Sequence, residues 1–375
     1  MGLLARSIAL TQLRVEGVPN TPMDEIFEEI RNLIFVNRFS SIQHTVDPQS
    51  IGWVQINDTS DSSFENPGHI WIGDLICFTL RKDVRRIPAA VLREELRKDT
   101  DLWLSQNPGF RHMPKQLKEE RKNLVSSLLF ARTLPVPTTT DVVWNVATGS
   151  LWLLTASLSQ VDLFHDMFRK TFEKLTLRNI APFDHLERIC PDVVQSANQC
   201  TTDSFLDRVN SNAWIGFDFL TWMLTRDHDA TANQEAWIDK KISFIGESGE
   251  GIQKITIAGP LPERLSTIRA ALADGRNITD ATIHLCDNDG NQWQFCLKGS
   301  TFAMSGFKTP TIATDTSPGD DAQLEFQAMI FERVHLVSQG LGILDLFLKQ
   351  FVGVRITGNW EDEQRRIASW VAREE

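Results

Sequence analysis

Apolar residues along the first half of the chain change their period several times, and each change marks an element. Ile8, Leu10, Leu13 and Val15 alternate with small and polar residues, predicting a strand over residues 3–15. Thr21-Pro22-Met23-Asp24 reads as a helix start: Thr21 caps, Pro22 suits the first turn, and Asp24 favours the positive end of the dipole. Ile26, Ile30, Leu33 and Ile34 then give the helical stripe. Strands come next at Ile51–Ile56 and Ile70–Leu80, joined by a polar loop. Pro88 opens a helix to about Leu104, and a second helix covers residues 114–131. Asp141–Val146 and Leu151–Ala156 form a hairpin, after which Ser159 caps a helix burying Leu163, Phe164, Met167, Phe168 and Phe172.

Beyond residue 178 the pattern weakens, with Pro182 and Pro191 interrupting it. A helix over 204–225 carries Trp214, Phe217, Phe219, Leu220 and Trp222. Strands return at 241–246, 253–258, 281–286 and 292–298. A Gly/Pro/Thr-rich loop then spans about 302–319, followed by a long apolar helix to about Gly353 and a short one over Trp360–Arg373. This order predicts an α+β fold of several subdomains. The expected division is an α+β domain at 1–178, a connecting region at 179–240, and an α+β domain at 241–375.

Composition adds little until charge is located. The chain has 375 residues, 42% of them hydrophobic, which suits a globular protein with a sizeable core. Its longest apolar stretch, Leu341–Val354, contains Asp345 and Lys349 and is too short for a membrane span. The first residues lack the apolar core of a signal peptide. The five cysteines form no CxxC pair, which points to reduced thiols in the cytoplasm. Net charge is −11, but residues 81–132 hold thirteen Lys or Arg against seven Asp or Glu. That segment is +6 and the remainder −17, a division that focuses an anionic ligand onto one surface.

Within this segment Lys115, Lys118, Arg121 and Lys122 share one helical face, while Leu117, Leu124 and Leu128 share another that is expected to pack inward. Arg111 and Arg132 extend the stripe, and Arg81, Lys82, Arg85 and Arg86 form a second basic group at a strand end. Such spacings neutralise successive phosphates. Taken alone they read more simply as a solvated helix face balanced by Glu119 and Glu120.

Catalytic alternatives fare worse. Gly246-Glu247-Ser248-Gly249-Glu250-Gly251 lacks the Lys-Ser/Thr of a phosphate loop and reads as a turn. The Asp287, Asp289, Asn291 alternation begins like a calcium loop, but Gln292 and Lys298 occupy its glycine and glutamate positions. Asp227-His228-Asp229 reads as a polar helix end, and Cys190 with His185 forms no recognisable dyad. No enzymatic activity, cofactor or metal is therefore expected.

The run Leu128-Leu129-Phe130-Ala131-Arg132-Thr133-Leu134-Pro135-Val136-Pro137, leading into Asp141-Val142-Val143-Trp144-Asn145 and Thr148-Gly149, resembles the RdgC family of recombination-associated proteins. Ile51-Gly52-Trp53-Val54, Arg85-Arg86-Ile87-Pro88 and Phe219-Leu220-Thr221-Trp222 fit the same resemblance, with looser matches at Ala273-Asp274-Gly275-Arg276 and Glu332-Arg333-Val334. It is strongest over residues 50–175 and reverses the simpler reading of the basic helix. The resemblance implies a bacterial, nucleoid-associated homodimer closed into a ring around double-stranded DNA, with little sequence preference, restraining RecA-dependent strand exchange. It also implies that the basic helix and Arg132 line the channel and that Leu134 serves the subunit contact. The chain departs from the family in its length between about 178 and 240. It departs again at Ile257-Ala258-Gly259-Pro260, where the family's basic residues are not matched. A Mg²⁺-dependent nuclease and a scaffold binding the recombinase remain the alternatives.

Overall fold

The computed structural model describes residues 2–45, 47–191, 205–226, 234–248, 251–311, 322–356 and 360–373. Cys200, the Asp227-His228-Asp229 triplet, Gly249-Glu250 and residues 312–319 of the Gly/Pro/Thr-rich loop lie outside the described residues. The protein is α+β, and its contacts divide it into two compact units. The larger comprises residues 1–20, 71–76 and 142–375, and the smaller 21–70 and 77–141. These boundaries differ from the divisions near 178 and 240 that periodicity suggests, because each unit gathers segments distant in sequence.

The larger unit is built on antiparallel strands β1 (Ile8–Glu16), β6 (Ser150–Leu153), β8 (Glu235–Ser248), β9 (Gly251–Ala258), β10 (Asn277–Cys286), β11 (Gln292–Lys298) and β12 (Met304–Lys308). Their order is β6-β1-β12-β11-β10-β8-β9, with β7 (Thr176–Asn179) also on β1. Alternation on β11 buries Trp293, Phe295 and Leu297 on one face and leaves Gln292, Gln294 and Lys298 on the other. Helices α6 (Phe205–Thr225) and α8 (Ala322–Ile356) pack against β10, and Trp293 Nε1 donates to Leu336 O at 2.8 Å. Gly340 permits that approach, since a Cβ there would lie 2.7 Å from the Trp293 ring. Helix α4 (Leu158–Thr171) turns Phe164, Phe168 and the adjoining Phe172 inward, where Phe168 and Phe172 meet Trp144 edge-on.

Several elements were not legible from periodicity. The weakly patterned stretch after 178 contains α5 (Pro182–Ile189), in which Pro182 starts a helix instead of breaking one. Strand β12 lies in the expected loop, with Phe302 and Gly306 at positive φ on either side of its start. Helix α7 (Leu265–Ala273) separates β9 from β10, whereas α9 (Trp360–Val371) falls where the short closing helix is expected. The Asp287 loop is a hairpin turn: Asp287 Oδ1 accepts from the amides of Asp289 and Asn291, and Gly290 takes φ +79°.

The smaller unit holds α1 (Met23–Val36), β2 (Gln49–Val54), and parts of β4 (Leu75–Val84) and β5 (Val136–Asn145), in the order β2-β4-β5. The remainder of β4, with the short β3 (Trp71–Ile72), and of β5 belongs to the larger unit. Pro22, not Thr21, occupies the N-cap of α1, and no side chain caps it. Similarly, Ser157 stands at the N-cap of α4 in place of Ser159. Gly52 is required on β2, because the backbone of Arg38–Phe39 runs beside it and a Cβ would approach Phe39 Cα to 2.4 Å.

Candidate nucleic-acid interface

All ten cationic residues singled out in the sequence fall in the smaller unit, but the fold uses them in different ways. Arg81 and Lys82 are neighbours on β4 and so point to opposite faces. Arg81 shares its face with Asp83 and forms two parallel hydrogen bonds to that buried carboxylate, at 2.7 and 2.8 Å. It also donates to Thr59 O, and its guanidinium lies 4.5 Å over the Phe39 ring. Arg85 is only 4% exposed and donates to the carbonyls of Ile42, Gln43 and Thr45. The group at 81–86 is therefore not one positive surface. Arg85 ties the loop before β2 to the end of β4, Arg81 is tied to Asp83 and to the loop after β2, Lys82 is half-buried, and Arg86 is exposed.

The second basic group lies on a pair of antiparallel helices, α2 (Ala89–Gln106) and α3 (Lys115–Arg132), connected by residues 107–114. Pro88 and Pro114 occupy the two N-caps, so the proline punctuation places both starts correctly. Little of this hairpin is buried: α2 buries no residue, and α3 buries Val125. The expectation that Leu117, Leu124 and Leu128 pack inward fails. Leu124 and Leu128 are 54% and 53% exposed, and Leu117 is half-buried. Among the described residues, no second layer covers the apolar stripe on that side.

Lys115, Lys118 and Lys122 on α3, Arg111 before it and Arg132 at its end are all exposed, and none forms an ion pair among the described residues. Arg121 is the exception, because it crosses to Asp99 of α2 at 2.9 Å. On α2, Lys98 is held by Glu95 and Glu94, and hydrogen bonding to Glu95 raises its pKa. Arg132 lines a groove of about 320 Å³ together with Leu102, Val125, Leu128 and Leu129, where Glu95 and Asp99 temper the local charge. Leu134, just past α3, has 80% of its surface exposed. Sequence reasoning missed the groove, since the apolar periodicity of α2 is weak.

Residues 21–196 match a family model described as "Putative exonuclease, RdgC". This stretch of the chain is similar to the RdgC family. The match covers slightly less than half of the chain and includes all ten of these cationic residues. No curated protein matches the sequence. Within the RdgC-type stretch, the motif residues have clear physical roles. Asp141, which opens the DVVWN run, accepts a buried hydrogen bond from Thr79 Oγ1 at 2.7 Å. Burial, reinforced by Asp141, raises the pKa of the neighbouring Cys77 thiol, so that this cysteine is an inert core residue.

The larger unit holds titratable groups of its own. His185 of α5 is buried, with its pKa pushed down to about 3 by burial and then by Arg188. Its Nδ1 stands 3.8 Å from Asp345 of α8, which Arg188 pairs at 2.5 Å. Among the described residues no group of three or more His, Cys, Asp or Glu is placed to hold a metal, and no helix is long and apolar enough to cross a membrane.

Proposed function

We propose that the chain binds double-stranded DNA through the outer face of α3, without sequence preference and without catalysing a reaction. The observation that carries this reading is the row of exposed cations Lys115, Lys118 and Lys122, flanked by Arg111 and Arg132, in a chain of net charge −11. Phosphates meeting these groups release counterions, so affinity tracks salt and not base sequence. The match of residues 21–196 to the RdgC family model supports a recombination-related role, in which occupancy of duplex DNA restrains RecA-dependent exchange on the nucleoid of a bacterial cytoplasm. Lys82 and Arg86 are secondary contacts in this scheme, whereas Arg81, Arg85 and Arg121 are already engaged within the protein. Leu134, exposed two residues beyond the groove-lining Arg132, is the proposed contact between two subunits of a homodimeric ring.

The test is a salt titration of binding to random-sequence duplex, with oligomeric mass measured on the same sample. A steep logarithmic slope and a dimeric mass are expected. Salt-independent binding would remove the electrostatic mechanism. The family description favours a second reading, an exonuclease. Incubation of end-labelled duplex with the protein and Mg²⁺ separates the two, because only the nuclease shortens the label-bearing strand.

A further inference from the structure

The connection between α2 and α3 carries an apolar ring in an unusual setting. Phe110 is 55% exposed, more than any other exposed aromatic side chain among the described residues. It is nevertheless held in place. Its ring rests on Trp103 of α2 with centroids 5.4 Å apart, and its amide donates to Asn107 O at 3.1 Å. Asn107 is anchored in turn, with Nδ2 donating to Trp103 O at 2.8 Å. Met113, further along the connection, is buried. The ring is thus supported from below while much of its surface meets water.

Its neighbours decide what covers it. Arg111 is adjacent, and Lys115 and Lys118 lie in the first turn of α3. A second copy of the chain docking here symmetrically would bring its own Arg111 and lysines against these cations, an unfavourable arrangement. A duplex presents phosphates for the cations and, between adjacent base pairs, an apolar slot for the ring. Proteins that distort DNA combine these features, with a phenylalanine or aliphatic wedge entering a base step while neighbouring cations hold the backbone. We propose that Phe110, supported by Trp103, is a wedge that inserts into a base step of the bound duplex and partly unstacks it. The proposal rests on the duplex-binding reading and adds to it a local deformation that lysine contacts alone would not produce.

The experiment uses the full chain and duplexes in which 2-aminopurine replaces adenine at successive positions, its emission rising when a base is unstacked. The native protein is expected to raise emission. Phe110→Ala should bind with an unchanged salt slope and leave emission at the level of free duplex, and Phe110→Leu should retain part of the rise. Circular dichroism melting checks that each variant is folded. Binding by the native protein without any rise would overturn the wedge and leave the duplex-binding reading intact. An undiminished rise with Phe110→Ala would overturn it too. So would a change in oligomeric mass with Phe110→Ala and no change in emission, which would assign the ring to a subunit contact. Failure of the native protein to bind duplex at all would overturn both.

Discussion

Arg85 and Lys118 carry the same charge in the same basic stretch, yet one is inside and the other outside. Three backbone carbonyls surround the Arg85 guanidinium, which fits them because its donors are fixed in a plane. Lys118 stands in water on a helix that buries little. Arg121 is an intermediate case, partly exposed and tied to Asp99. A cation contributes to a nucleic-acid surface only where the fold leaves its charge unspent. Counting basic residues overstates that surface, because some of them are holding loops together.

The largest effect should come from the inside. Arg85→Ala leaves the carbonyls of Ile42, Gln43 and Thr45 without their donor, and is expected to destabilise the protein by about 3 kcal/mol in urea unfolding. A variant that unfolds like the native protein but loses DNA would break the distinction. His185 sharpens it from another direction, as a buried base that sheds its charge. An unfolded imidazole titrates near 6.5 and the folded one at about 3, so the unfolded chain binds more protons between these values. Stability is therefore complete above the unfolded value and declines as pH falls, by about 2 kcal/mol between pH 7 and pH 5 from this group. Urea midpoints at the two pH values should show this loss in the native protein and a smaller one in His185→Leu; equal losses would exonerate the histidine.

On the outside, changing Lys115, Lys118 and Lys122 together to Ala should lower the logarithmic salt slope of duplex binding by about 2.7. The melting behaviour should move by less than about 0.5 kcal/mol. An unaltered slope would take α3 out of the interface. Arg121→Ala should have the smallest effect, costing about 0–1 kcal/mol of stability and lowering the slope less than Lys118→Ala does. A full unit of slope lost at Arg121 would mean that its pairing with Asp99 gives way to phosphate.

The alternation of apolar residues and the placement of proline made much of the fold legible. Pro88 and Pro114 marked α2 and α3, and the strands from β8 to β11 were recognisable from their alternation. Pro182 misled, since proline acts as a breaker inside a helix and as a first-turn residue at its start, and the weak pattern after 178 concealed the helix. In the candidate site, the pairing of Arg81 with Asp83 was within reach of the sequence, because residues two apart on a strand share a face. The fate of Arg85 was not, because its acceptors lie some forty residues upstream. Nor does periodicity reveal whether an apolar stripe such as Leu124 and Leu128 has anything to pack against.

The pairing of Ile8 with Phe307 has a consequence for how the polypeptide is assembled during synthesis. Strand β1 leaves the ribosome about 300 residues ahead of β12, one of the neighbours that complete its place in the sheet, and closing so wide a loop is slow. Every residue of the smaller unit has been made by position 141, so the cationic hairpin can form while its larger companion is still growing. The nascent chain thus has its exposed cationic surface before its largest β-sheet is finished.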